Sequence, residues 1–363
     1  MQAGAATPAA ATGRPMRRVK IRFAVLLLAA GAAGFQGIAA QTYQRGQNVA
    51  PAFEGWMRNE DGTFSFLFGY MNRNWSEELD VPVGEDNSFS PGPADRGQPT
   101  HFLPRRNRFV FEVRVPADWG DKELVWTVTS NGVTERAYAT LRGDYVVDGH
   151  VIMSETGALG AGSSDARIRG NQPPTITLEG PEERQATVGR PVTITVLVED
   201  DGLLRSRRPS PPDPPETAED SARADSIWSA PPTFSSRQLR PPSRITVQKV
   251  NGLFMSWFLY RGEGVGGVDR VVTAGEEVGA NDTGLAGTVT FEPPQIKVWE
   301  DTRAGANSPW APLWVPPELP EDGRWTVDVT FDKPGTYLLH GRADDGGLFS
   351  DVEVMVVVRG TAS

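Results

Sequence analysis

From Gln41 onward the apolar residues recur every second position over short runs, and each run is closed by Gly, Pro, Asn or Asp. That period places alternate side chains on opposite faces of an extended chain and predicts half-buried antiparallel strands. In Thr63 to Tyr70 (TFSFLFGY), Phe64, Phe66, Phe68 and Tyr70 fall on one face. In Arg108 to Val115 (RFVFEVRV), Phe109, Phe111, Val113 and Val115 point one way, while Glu112 and Arg114 face water. Leu124, Trp126 and Val128 continue the pattern, and Ser130-Asn131-Gly132 predicts a tight turn into Val133 to Leu141. Further strands are predicted at Thr175 to Leu178 and at Arg190 to Val198.

The punctuation between these runs sets the organisation. Residues 50–148 read as one sandwich domain. Residues 149–170, with GALGAGSSDA at their centre, have little to bury and read as a linker. A second domain spans 171–360 and is interrupted by a Pro-, Ser- and charge-rich insertion at 203–243, which is predicted to be disordered. Two further irregular stretches are Arg261 to Gly287 and Glu300 to Arg324. The expected fold class is therefore all-β, with two immunoglobulin-like antiparallel β-sandwich domains.

Residues 1–40 do not follow the strand pattern. Five basic residues without an acid between Arg14 and Arg22 precede the apolar run FAVLLLAAGAAGF, and Ala39-Ala40 follow. This order of regions predicts a signal peptide cleaved before Gln41, in an exported protein that is periplasmic or secreted. The run is too short and too rich in Gly and Ala for a stable transmembrane helix, and no later stretch could span a bilayer. The sequence has no cysteine, which excludes disulfides, thiolate zinc sites and a lipid-modified cysteine. The net charge of −10 falls to about −15 once the five basic leader residues are removed, which disfavours a nucleic-acid partner.

The second domain carries a resemblance. NQPPTITL, VGRPVTITVLVEDDG, LFMSWFLYRGEG, GTVTFEPP and PGTYLLHGRADDGGLFSDVEVMVVV, read in that order, resemble the PKD-like, immunoglobulin-type repeats of exported bacterial proteins. In that family Pro-Gly-Thr-Tyr opens the penultimate strand, an Asp-Gly turn follows, and a valine-rich strand closes the sheet. The resemblance implies a fold and an extracytoplasmic setting and does not imply an activity. On physical grounds Tyr337, after a Pro-Gly bend, is expected to form a tyrosine corner, and Trp257 is expected to be buried.

Little in the sequence carries chemistry. The three histidines, His101, His150 and His340, are widely spaced, and the serine elbow, phosphate loop and His-Glu-x-x-His motifs are missing. No enzyme is predicted. Glu199 and Asp200, with Asp344 and Asp345, lie in loops that an immunoglobulin-like strand order brings to one pole. There they read either as a calcium site, the one cofactor the sequence raises, or as ordinary Asp-Gly turns. Trp310 and Trp314 in WAPLWVPP read either as an exposed patch for a protein or glycan partner or as a lid over the sandwich end. Asn72 to Trp75 with Arg105-Arg106 form a further polar stretch that normally serves as a solvated face. The expected function is a non-enzymatic extracytoplasmic module presenting loops to a protein, glycan or envelope partner. The alternative is a carbohydrate-active accessory protein or cryptic hydrolase.

Overall fold

The computed structural model describes residues 45–74, 77–156, 169–204, 252–262, 289–293, 295 and 319–360. Residues 1–40, expected to be a signal peptide, together with Trp75, Trp310, Trp314, most of the 203–243 insertion and the centre of the 149–170 segment, lie outside the described residues.

The first sandwich is built from β1 (Val49–Arg58), β2 (Phe64–Asn72), β3 (Leu79–Asp80), β4 (Asn87–Ser90), β5 (His101–Phe102), β6 (Arg105–Val115), β7 (Leu124–Ser130) and β8 (Val133–Ala139). Its two main sheets run β1-β2-β6 and β4-β7-β8, all antiparallel, with β3 and β5 forming a small ladder at one end. The Asn-Gly pair turns β7 into β8 as expected, because both Asn131 (φ 47°) and Gly132 (φ 75°) take the left-handed conformation that a two-residue hairpin needs. Between the sheets, Trp126 touches the rings of Phe68, Phe89, Phe102 and Phe111. Its indole N–H donates to Asn87 Oδ1 at 2.9 Å, and Asn87 Nδ2 in turn donates to the carbonyls of Val81 and Pro99. The polar atoms of this aromatic core are therefore satisfied within it.

One expected face is corrected. Phe109 does not share a side with Phe111, Val113 and Val115. The register between β2 and β6 jumps from Phe68↔Phe111 to Tyr70↔Asn107, and Phe109 takes φ 49° at this bulge. Two extra residues on β6 interrupt the alternation here, and the positive φ at Phe109 turns its side chain to the other face. Phe109 therefore packs with Leu67 and Val147 on the outer side of the sheet, in a small cluster completed by Met57, Ile152 and Phe349.

The segment expected to be a bare linker starts as a helix, α1 (Gly149–Thr156), with Met153 buried. Beyond it come β9 (Thr175–Leu178), β10 (Glu183–Thr187), β11 (Val192–Glu199), β12 (Phe254–Gly262), β13 (Val289–Glu292), β14 (Arg324–Phe331), β15 (Gly335–Asp344) and β16 (Phe349–Arg359). One sheet runs β13-β14-β11-β9 and the other β10-β16-β15-β12, with β10 alongside β16 as the parallel pair. The first strand segment joins one sheet and the next joins the other, beside the last strand, as in an immunoglobulin-type sandwich. Tyr337 is fully buried and its hydroxyl donates to the Lys333 carbonyl at 3.0 Å, which makes the expected tyrosine corner. Trp257 is buried as expected, opposite Gly341 on β15.

Strand β12 belongs to both cores. Met255, Trp257 and Leu259 point into the second sandwich, while Phe258 and Tyr260 are part of the first core. This explains the run LFMSWFLY, apolar but for the small Ser256, since a strand covered on both faces has little room for polar residues.

Candidate functional site

The seam between the sandwiches holds the buried His340 and Arg342. The Thr100 N–H donates to the Tyr260 carbonyl at 3.1 Å, and the Tyr260 hydroxyl donates to the Gly97 carbonyl at 2.5 Å. Arg261 makes a forked pair with Asp95 at 2.8 and 3.1 Å, and its Nε donates to the Gln98 carbonyl. Arg342 on β15 is buried. Its Nε and Nη2 reach the two oxygens of Asp351 on β16 at 2.7 Å each, Nη2 also donates to the Phe109 carbonyl at 2.8 Å, and the guanidinium stacks 3.8 Å from the Phe349 ring centre. Burial alone would raise the Asp351 pKa, but Arg342 and His340 beside it hold the carboxyl well below the usual range. The Phe109 bulge thus has a role, because it turns a main-chain carbonyl of the first sandwich towards a cation of the second.

Next to this ion pair the seam opens into a cavity of about 530 Å³. Apolar side chains such as Leu67, Ile152 and Leu348 line it together with His340 and the carboxylates of Glu112, Asp351 and Glu353. The His340 ring stacks on Phe258 at 5.0 Å and lies 5.0 Å from Tyr260. Burial, aided by the charge of Glu353, pushes the Tyr260 hydroxyl well above its ordinary pKa, so it is a hydrogen-bonding group and not a base.

The other two histidines have different settings. His150 is exposed on α1. His101 is completely buried on β5, its Nδ1 2.8 Å from Asp80 Oδ1 and its Nε2 2.8 Å from Glu78 Oε2. Burial by itself lowers the pKa, but the two hydrogen bonds and charges outweigh it and raise it to about 10. In the sequence His101 stands between Pro99 and Pro104. Its partners could have been noticed only in Glu78-Leu79-Asp80, where an apolar residue separates two acids and the last two residues form a short strand.

The turns that carry Glu199, Asp200, Asp344 and Asp345 come to one pole. Asn171 Nδ2 donates to Asp345 Oδ2 at 2.8 Å, and the neighbouring Gln172 N–H donates to Asp201 Oδ2 at 2.9 Å, so adjacent residues tie both acidic turns together. Asp345 Oδ1 accepts from the amides of Gly347 and Leu348, Asp344 Oδ1 from that of Gly346, and Asp200 Oδ2 from that of Gly202. Glu199 points to solvent at the end of β11. Among the described residues no group of three or more His, Cys, Asp or Glu is arranged to hold a metal ion. The oxygens of Asp200, Asp344 and Asp345 close turns by accepting backbone amides, as in the turn reading of these residues. Burial raises the Asp345 pKa to about 6 in spite of these hydrogen bonds.

Arg105 and Arg106 are also committed locally. Arg105 donates to the Arg73 carbonyl, and Arg106 pairs with the largely buried Glu54 at 2.7 Å. Among the described residues no helix is long and apolar enough to cross a membrane.

No family model matches the chain, and no curated protein matches it. Among solved structures it is similar to the titin domains Z1Z2 in complex with telethonin, over 86% of this chain and 91% of that one, at 7% identity and a TM-score of 0.21. It is similar to domains 1–6 of the surface layer protein SbsC over 87% of this chain and 28% of that one, at 11% identity and a TM-score of 0.20. It is also similar to SbsC domains 4 and 5 over 86% of this chain and 98% of that one, at 11% identity and a TM-score of 0.19. Likenesses this distant carry no argument about what the chain does. The immunoglobulin-like assignment of the second sandwich stands on its own strand order.

Proposed function

We propose that this chain is an exported, non-enzymatic module of the cell envelope or its exterior, in which two sandwiches act as one rigid piece that holds loops towards a protein, glycan or envelope partner. The carrying observation is strand β12, whose two faces belong to two different cores. A joint made by a shared strand and by the Thr100–Tyr260, Tyr260–Gly97, Arg261–Gln98, Arg261–Asp95 and Arg342–Phe109 contacts resists bending, which suits a spacer or presenting scaffold. The histidines support the same reading. His101 has both nitrogens taken up by carboxylates, so it has no free site with which to abstract a proton. The PKD-like reading of residues 171–360, the basic-apolar-small order of residues 1–40 and the excess negative charge support an extracytoplasmic setting.

The test is to express the full chain in a bacterial host, fractionate the cells, and sequence the N-terminus of the exported material. Purified protein is then offered polysaccharides and esters and followed for turnover. Export with a start near Gln41, specific cross-linking to an envelope component and no turnover are the expected results. Sustained turnover that survives repurification would overturn the non-enzymatic reading. A protein found only inside the cell would overturn the setting.

A further inference from the structure

The seam holds a histidine that the fold does not answer. His340 is 4% exposed, yet neither ring nitrogen has an aligned hydrogen-bond partner among the described residues. Nε2 lies 3.2 Å from Asp351 Oδ2, off the line a hydrogen bond requires, and both oxygens of that carboxylate already accept from Arg342. Nδ1 lies 3.9 Å from Glu353 Oε1, beyond hydrogen-bond reach. Buried polar groups are almost always partnered, and this one lines a cavity, so its partner belongs in the cavity.

The remaining lining says what that partner is. The charged groups facing the cavity are Glu112, Asp351 and Glu353, and no Lys or Arg is among the lining residues. Asp351 is neutralised by Arg342, whereas Glu112 and Glu353 are exposed at the rim with no Lys or Arg partner among the described residues. The aromatic residues Phe109, Tyr260 and Phe349 also line the walls, with Arg342 covering one face of the Phe349 ring. Ring faces and carboxylates both attract positive charge, and both disfavour an anion. The volume, about 530 Å³, is that of a pocket for a small organic molecule.

We propose that the cleft between the sandwiches binds an organic cation with an apolar body, its ammonium or amidinium group lodged between the aromatic walls and the two rim carboxylates and donating to His340. This site is independent of the export and partner-binding reading, since it is defined by the seam and not by the loops.

The probe set is 2-naphthylmethylamine, 2-naphthylmethanol and 2-naphthoate, which share one apolar body and differ in the charge of the head. Each is titrated calorimetrically into the full chain at pH 7. The amine is expected to bind one to one and about tenfold tighter than the alcohol, and the carboxylate weakest of the three. Replacing both rim acids, Glu112→Gln with Glu353→Gln, should weaken the amine about tenfold and leave the alcohol unchanged, because only the charge is removed. The unchanged alcohol affinity also reports that the variant is folded. Glu183→Gln on the exposed strand β10 serves as the control and should alter neither. Equal affinities for the three heads, no saturable binding of the amine, or an amine affinity that survives loss of both rim acids would each overturn the proposal.

Discussion

Arg342 and Phe109 are 233 positions apart, yet the guanidinium of one donates to the main-chain carbonyl of the other at 2.8 Å. The contact needs a residue with positive φ in the first sandwich and a buried cation in the second, so each half supplies a locally unfavourable feature that the other completes. Phe109 at φ 49° puts its ring outwards beside Phe349, and Phe349 in turn lies under the guanidinium. The two sandwiches are thereby fitted to one another, as expected of a permanent joint.

Removing that cation should be costly. Arg342→Met keeps the aliphatic stem but leaves Asp351 facing an apolar seam, and breaking a buried pair of this kind costs about 3–5 kcal/mol. The lower end is expected, since the Asp351 side chain keeps 25% of its surface exposed. Urea denaturation of the wild type, Arg342→Met and the double variant with Asp351→Asn checks it. The double variant should recover part of the loss, and strictly additive costs would show that the two groups are not coupled.

Asp345 should make the protein sensitive to mild acid in an unusual sense. Its pKa is about 6 in the fold against 3.8 for an unperturbed aspartate. A carboxyl with a raised folded pKa binds its proton more tightly in the native state. Its contribution is therefore greatest below pH 3.8 and is lost as pH rises through 6. The full effect is up to about 3 kcal/mol, because each tenfold gain in proton affinity is worth about 1.4 kcal/mol. In Asp345→Asn the side-chain oxygen still accepts from Gly347 and Leu348, and Asn171 can turn its otherwise unpartnered Oδ1 towards the new amide. The difference in urea midpoint between this variant and the wild type should grow from pH 4 to pH 6.5. A constant difference over that range would contradict the raised pKa.

These sites show which parts of the molecule local sequence can express. The Asn131-Gly132 hairpin, Thr175–Leu178, the Tyr337 corner and the burial of Trp257 were readable because each depends on a short pattern with one physical meaning. The neighbourhood of the two acidic turns followed from strand order, but their chemistry did not. Whether Asp345 faces a cation or the amides of its own turn is decided by a few bond rotations that composition does not record. Phe109 was misplaced because a bulge shifts the alternation without changing the residue types, and a positive φ at phenylalanine has no sequence signature. The seam was missed for a different reason. The run LFMSWFLY did signal a strand covered on both faces, but the covering surface lies more than a hundred residues earlier in the chain.

His101 carries a linkage of the same sign as that of Asp345, but in a higher pH window. Its pKa is about 10 in the fold and 6.5 when unperturbed, so the stability it contributes is complete below pH 6.5 and is lost as pH rises through 10. The ring protons of His101 should show no titration in NMR spectra between pH 6 and pH 8.5. His101→Phe fills the space but leaves Glu78 and Asp80 without their cation, at a cost of about 3–5 kcal/mol near neutral pH. That cost should shrink as pH approaches 10, where the wild type also loses the charge. A His101 signal that titrates near 6.5 would place the ring in solvent.

Trp257 and Gly341 face each other across β12 and β15, and the glycine makes room for the indole. A Cβ at position 341 would lie 2.5 Å from Met255 Cε and 2.9 Å from the Trp257 ring, distances at which something has to move. Met255 is unbranched and can shift, but the indole is held by the core around it, so Gly341→Ala should cost about 1–3 kcal/mol through overpacking. Trp257→Ala acts in the opposite way, emptying the centre of the second core at a cost of about 3–5 kcal/mol. The informative variant combines Gly341→Ala with Trp257→Phe, since the smaller ring removes the atoms nearest to the added methyl. In that background the alanine should cost about 1 kcal/mol less than it does beside tryptophan, a coupling expected of residues in direct contact. Urea denaturation of the wild type, the two single variants and the double variant gives the coupling energy. A coupling near zero would mean that the space opposite Gly341 is filled by something other than the indole.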